Sequence, residues 1–282
     1  MTENHLFTPR MPASPVVPVE RRTFKRMDCG ADAPVIRLRE RSLKMLTKDL
    51  LLRNPLKLVG LEGGETLTTG GFGAVLARAG VGKTAFVVQI ALNEMLRGLN
   101  ILHISLHDPV TKVKLWYEEV FHHLTREDDV KQAHQLWETL LPHRFIMTFQ
   151  VEGFSVPKLE ERLTDLTSQN IFTPDMIIID GMPFDANIRG ELTALKRLAG
   201  AFKTHVWFTV RTHRHETPGA SGVPVQLESV ADLFEAALQL VPDGKDIHVD
   251  ALIGGSRENA KTDLRLDPST MLVNNGTARE PA

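Results

Sequence analysis

Cysteine is almost missing from this chain: Cys29 is the only one in 282 residues. That excludes an internal disulfide framework and leaves no cysteine cluster for a structural zinc. Long apolar runs are missing too. No stretch reaches the ~18 to 20 residues that a membrane-spanning helix needs. The N-terminal MTENHLFTPR has no apolar core of a secretory signal, so the expected compartment is the cytoplasm, with no membrane partner. Neither charge dominates: 35 acidic against 33 basic side chains leave a formal charge of −2. The global basic field of many nucleic-acid binders is therefore absent, although local basic patches remain open. No internal repeat is visible. What the chain does have is 42% hydrophobic content, enough to bury a full core in one large domain or two small ones.

Residues 71–98, GFGAVLARAGVGKTAFVVQIALNEMLRG, are the most informative stretch. Ala77, Arg78, Ala79, Gly80, Val81, Gly82, Lys83 and Thr84 fill the pattern [A/G]-x-x-x-x-G-K-[S/T] of a phosphate-binding loop. The chemistry asks for those types. Small residues at Ala79, Gly80 and Gly82 let successive backbone N–H groups point into one concavity. Lys83 then reaches the β- and γ-phosphates, Thr84 offers its hydroxyl to Mg²⁺, and the following helix aims its positive end at the anion. Arg78, Ala79, Gly80, Val81, Gly82, Lys83, Thr84 and Ala85 are the candidate nucleotide-binding set, with ATP and Mg²⁺ as ligands. The setting agrees with the motif. Ala74, Val75, Leu76 and Ala77 suit a strand buried on both faces; Phe86, Val87, Ile90, Ala91 and Met95 recur at the spacing of an amphipathic helix, and Gly98 suits its left-handed cap.

Along the rest of the chain, residues 1–34 carry Pro9, Pro12, Pro15, Pro18 and Pro34 without a sustained period, which predicts a flexible arm. Its cluster Arg21, Arg22, Lys25 and Arg26 reads either as a solvated tail or as a contact for a phosphate backbone or an acidic partner. Leu38, Leu43, Leu46 and Leu50 predict a helix over 35–53, stopped before Pro55. This N-terminal segment, 35–57, packs on its own domain or on a neighbouring subunit. A glycine-rich approach over 58–71 leads to the first core strand. Beyond the loop and its helix, a strand is predicted over 101–106, with Asp108 as a cap before Pro109. Two helices over 110–140 divide near 126–129. A strand over 144–151 and a helix over 155–168 follow. Met176, Ile177, Ile178 and Ile179 form an apolar strand ending in Asp180. A helix over 189–203, a strand over 205–210, a polar loop over 212–226 and shorter elements to Val273 complete the domain, before a frayed tail, 274–282. The alternation predicts an α/β fold with a right-handed parallel sheet and a mixed edge toward the C-terminus.

An apolar strand ending in an aspartate looks like a Walker-B element, whose carboxylate holds Mg²⁺ through water beside Thr84; turn chemistry also ends strands in aspartate. A carboxylate at the carboxyl edge of a parallel sheet is where such folds bind ligands. With both motifs in place, residues 58–273 resemble the RecA-like P-loop NTPases, and within them the replicative-helicase, RadA and KaiC type of ATPase domain. ILHISLHD looks like the family's second strand and IIIDGM like its Walker-B strand. ELTALKRLAGAFKTHVWFTVRTHR looks like its helix and phosphate-sensing strand, and ESVADLFEAALQLV and DLRLDPSTMLV like its closing strands. The resemblance implies a RecA-like three-layer α/β/α sandwich with a mostly parallel central sheet and a C-terminal antiparallel edge. It implies an ATPase using Mg²⁺, a homo-oligomer in the form of a ring, and a DNA or protein partner. Arg211 falls where the family usually has glutamine, and Arg214 where an arginine is often seen.

Two departures bear on catalysis. Relatives place a glutamate after the Ser-Leu of the second strand, whereas Ser105-Leu106 is followed here by His107. A neutral imidazole accepts a proton with a different basicity and reach. Asp108 either substitutes, if the turn rotates, or only caps the next helix. Slow hydrolysis is expected, the alternative being a nucleotide-dependent regulator or scaffold with negligible turnover. In ALIGGSRENAKTD the family's Lys-x-Arg pair is absent, and Arg257, with Lys261 beyond it, reads equally as a finger into a neighbouring subunit or as a loop charge. The candidate catalytic residues are thus Lys83, His107, Asp108, Arg211 and Arg257, and the candidate metal ligands Thr84 and Asp180.

Other groups carry weaker signals. His213 and His215 flank Arg214 in a loop that reads as solvated or as a contact for a phosphate backbone; it has no aromatic for base stacking and no third ligand for a metal. His122 and His123 are expected on a helix surface, His103 as a hydrogen-bonded core residue, and Trp116 and Tyr117 in packing.

Overall fold

The computed structural model describes residues 33–58, 61, 67–185, 187–213, 222–254 and 264–275, with the backbone alone for 33–40 and 275. The basic cluster at Arg21–Arg26, Arg214, His215, Arg257, Lys261 and most of the C-terminal tail lie outside the described residues. By its contacts the chain divides into residues 1–38 and 39–282. Of the first unit only the beginning of helix α1, Ala33–Leu52, is described. Everything below belongs to the second.

Glycine and proline punctuate the chain where the elements change. α1 ends just before Asn54-Pro55, and a short helix α2, Pro55–Leu58, follows. Strand β1, Phe72–Ala77, is buried at every position, so it is apolar without alternation. Helix α3, Lys83–Leu96, closes on Gly98, whose φ of 85° lets the N–H groups of Gly98 and Leu99 turn back onto the carbonyls of Met95 and Glu94. There follow β2, Ile101–Ser105; α4, Val110–Leu124; α5, Val130–Leu140; β3, Arg144–Thr148; α6, Val156–Ser168; and β4, Met176–Asp180. After them come α7, Ile188–Ala201; β5, His205–Arg211; α8, Val225–Glu228; β6, Ala236–Asp243; β7, Asp246–Ile253; β8, Leu264–Leu266; and β9, Val273–Asn275.

The strands form one nine-stranded sheet in the order β3-β2-β4-β5-β1-β6-β7-β8-β9. Every pairing from β3 to β6 is parallel, and those from β6 to β9 are antiparallel. The fold is therefore α/β with a mostly parallel mixed sheet. Two apolar cores lie on its two faces, a division that the pleat of β1 makes visible. Val75 and Ala77 join Phe86, Ile90, Val113 and Tyr117, whereas Phe72, Ala74 and Leu76 join Leu159, Leu163, Leu192 and Leu195. Helices cover both faces, an arrangement compatible with a three-layer sandwich.

Three local expectations need correcting. α3 is not amphipathic: Ala85 through Met95 are all buried, including Gln89, because α2, α4, Leu50 and the chain at Met271–Val273 pack around the side turned away from the sheet. The Gln89 side chain donates to the Met271 carbonyl and accepts from the Val273 N–H. The strand predicted over 144–151 stops at Thr148, which is paired with Ser105, the last residue of its neighbour β2; a 3₁₀ turn, Val151–Gly153, follows. Asp108 does not cap α4. The extended backbone of Pro109 occupies the cap position, without a side-chain bond, and Asp108 instead forms an ion pair with Lys112 at 2.9 Å.

Candidate functional site

Parallel strands that stop together leave a crevice at their carboxyl ends, and strand register sets what lines it. Ser105 pairs with Asp180, Asp180 with Thr209, and Ala77 with Arg211. Three strands, β2, β4 and β5, thus place Ser105, Asp180 and Thr209 at one level, with Arg211 two residues further along β5. A pocket of about 640 Å³ opens there, lined among others by Ala79, Gly80, Lys83, Thr84, His107, Asp108, Asp180 and Arg211.

Between β1 and α3 the chain makes the tight turn that the glycine spacing predicts. Gly80 and Gly82 have φ of 77° and 104°, values that side chains with a Cβ rarely adopt. Gly82 is the N-cap of α3 and supplies no side-chain bond. The first N–H groups of a helix have no acceptor within it, so this end presents donors and a positive dipole to the pocket. Val81 and Ala85 turn into the core rather than the pocket, and Arg78 is half-buried. Any part Val81 and Ala85 play in holding a ligand falls to their backbone.

The Lys83 ammonium donates to the carbonyls of Ala77 and Arg78, at 3.0 and 2.9 Å. Burial pushes it below its usual range; Asp180 pulls it back up, and Arg211 pushes it further down. A half-buried cation held by two backbone carbonyls, beside an arginine, is an environment that an incoming anion improves.

Thr84 and Asp180, 96 positions apart in sequence, meet directly: the threonine hydroxyl donates to Asp180 Oδ2 at 2.9 Å. The Thr209 hydroxyl donates to Oδ1 and accepts from the Gly181 N–H. Burial works to raise the Asp180 carboxyl, but the His103 ring 3.8 Å away and the two hydroxyl donors outweigh it, and the group sits below its usual range. Among the described residues no three His, Cys, Asp or Glu side chains gather into a metal cage. One hydroxyl and one carboxylate, both hard oxygens, are a donor set that fits Mg²⁺, which keeps much of its water and takes few protein ligands.

His107 lies exposed at the rim. A Cβ on Gly181, whose φ is 93°, would come within 2.4 Å of the His107 ring, so the imidazole rests against a bare backbone beside Asp180. Asp108 lines the same pocket, yet its carboxylate is engaged by Lys112, and its N–H donates to Ser105 Oγ. Arg211 ends β5 with its side chain exposed at the pocket. Of the candidate residues, the structure brings together Lys83, Thr84, His107, Asp108, Asp180 and Arg211; Arg257 is not described. Thr209, Ser105 and Gly181 are not among the candidates the sequence offers. Only the β4–β5 register identifies Thr209 as a partner of Asp180, and no local pattern announces it. No protein-family model matches the chain, and no curated protein matches it.

Proposed function

We propose that the chain is a RecA-like P-loop ATPase that binds Mg·ATP at this pocket and hydrolyses it slowly, coupling nucleotide state to contacts with other subunits or a DNA or protein partner. The observation that carries the reading is the bond between Thr84 and Asp180 beside a glycine turn and a half-buried lysine. Two motifs remote in sequence, each demanded by phosphate–metal chemistry, converge on one site.

In this reading the backbone N–H groups of residues 79–85 and the Lys83 ammonium hold the phosphates, and Thr84 and Asp180 hold the cation. Bound Mg²⁺ supplies neutralisation of the phosphate charge. Arg211 adds positive charge near the terminal phosphate. His107 stands nearest to the role of general base, because Lys112 already engages Asp108. That ion pair and the exposed imidazole favour slow turnover, and they equally support a nucleotide-dependent regulator or scaffold that barely hydrolyses.

Titration calorimetry with ATP and Mg²⁺, combined with phosphate release, tests the proposal. Wild type is expected to bind, Lys83→Ala to lose at least about tenfold in affinity, and His107→Glu to release phosphate faster than wild type. Binding without turnover above Lys83→Ala selects the regulator. A wild type that binds no nucleotide overturns both.

A further inference from the structure

Directly behind Asp180 lies a polar side chain to which the proposed function assigns no role. His103, on β2, is fully buried, and its Nε2 has no hydrogen-bond partner. Its register neighbour on β4 is Ile178, two residues before Asp180, so the imidazole lies beneath the carboxylate along the same strand pair. Nε2 is 3.8 Å from Asp180 Oδ2, too far for a hydrogen bond and close enough that a small turn of the carboxylate would make one. On the other side, Nδ1 is 3.1 Å from the hydroxyl of the fully buried Tyr117, whose ring lies under the Arg144 guanidinium at 4.7 Å. A buried polar nitrogen without a partner is rare enough to need an explanation.

The proton on that nitrogen can be assigned from its neighbours. If Tyr117 donates to Nδ1, the proton of a neutral ring sits on Nε2. If the ring is an imidazolium, Nε2 carries a proton as well. The remaining tautomer would aim a lone pair at a carboxylate oxygen, which is repulsive. Nε2–H therefore points at Asp180 Oδ2, the same oxygen that accepts from Thr84.

We propose that His103 is a positioning residue for Asp180, its Nε2–H becoming a further donor to Oδ2 when the carboxylate turns toward a cation. This rests on the nucleotide reading above. In the structure described, Thr84 and Thr209 satisfy the carboxylate and His103 waits. A cation takes a lone pair of the Thr84 oxygen and leaves its O–H free to donate to Oδ2, so His103 adds a further donor as the carboxylate turns toward the cation and closes the 3.8 Å gap. Tyr117 fixes the tautomer, as outer partners of metal-binding side chains do elsewhere.

The test compares the gain in ATP affinity on adding Mg²⁺ with the affinity in a chelator, for wild type, His103→Leu, His103→Gln and Tyr117→Phe. His103→Leu is expected to keep wild-type affinity in the chelator and to lose about 10–100-fold of the Mg²⁺-dependent gain. His103→Gln, which keeps a donor near the same point, is expected to recover most of it, and Tyr117→Phe to lose part. A folded His103→Leu with the full gain, or a His103→Gln no better than leucine, overturns the proposal. A second readout needs no variant: histidine labelled with ¹⁵N in the wild-type protein should show an Nε2-bound proton that moves downfield on adding Mg²⁺ and a non-hydrolysable ATP analogue. An unprotonated Nε2, or a proton that does not move, overturns it. If wild type shows no Mg²⁺-dependent binding at all, the nucleotide reading fails and this inference falls with it. If wild type binds and only the His103 comparisons fail, the nucleotide reading survives.

Discussion

At the scale of single residues, burial decides the state of His205 at the start of β5. Desolvation pushes its imidazole down to about 4, against the pull of Asp175 and Glu235, which would raise it. An unfolded chain returns the ring to ~6.5. Above that pH both states are neutral, and the contribution to stability is complete. As pH falls from ~6.5 to about 4, the unfolded chain takes up a proton that the native ring refuses, so stability declines by up to about 3 kcal/mol; below that there is no further loss. Urea midpoints at about pH 7.5 and about pH 4.5 are expected to differ more for wild type than for His205→Gln. An equal pH dependence in the two proteins would show that His205 is not the source. Residues of the candidate site were legible in the sequence where chemistry dictates type and local spacing, as for Gly80, Gly82, Lys83 and Thr84. Thr209 was not legible, because a threonine in a strand has many reasons to be there.

At the scale of elements, β1 and β5 approach through a glycine. Gly73 pairs with Trp207, and a Cβ at Gly73 would lie 2.7 Å from the indole, so the fully buried ring occupies the space that a side chain would take. Gly73→Ala is expected to overpack the core and destabilise by about 1–3 kcal/mol. Denaturant titration should show a lower midpoint with an unchanged slope. Pairing it with Trp207→Phe should recover part of the loss, since residues in contact do not act additively; strictly additive losses would contradict this packing. The existence and type of the core strands and helices were readable from apolar runs and helical spacing. The all-round burial of α3 was not, since it depends on segments remote in sequence, α2, α4 and Met271–Val273, packing around it. The early end of β3 likewise follows from where its neighbour β2 stops.

At the scale of the whole molecule, a ligand that binds only the native state stabilises it by mass action. If the pocket takes Mg·ATP, nucleotide at about 100 times Kd should add about 2.7 kcal/mol. For a domain of this size that raises Tm by roughly 5–10 °C. Differential scanning calorimetry should find this shift in wild type and lose most of it in Lys83→Ala. A flat response in wild type would end the nucleotide reading. Among the described residues no helix is long and apolar enough to cross a membrane, in keeping with the short apolar runs of the sequence.

By itself the sequence determined the parts whose physics is local: a glycine turn between an apolar strand and a helix, a lysine and a threonine in fixed positions after it, and an apolar strand ending in Asp180. Each follows from steric freedom, helical period or hydrophobic pattern within a few residues. Tertiary structure alone decided that Thr84 reaches Asp180, that Thr209 braces it, that Lys112 engages Asp108, and that His103 lies beneath the carboxylate with its Nε2 unpaired. Those contacts depend on the order and register in which β2, β4, β5 and β1 pair, and pairing is a property of backbone hydrogen bonds between distant segments that no single segment encodes.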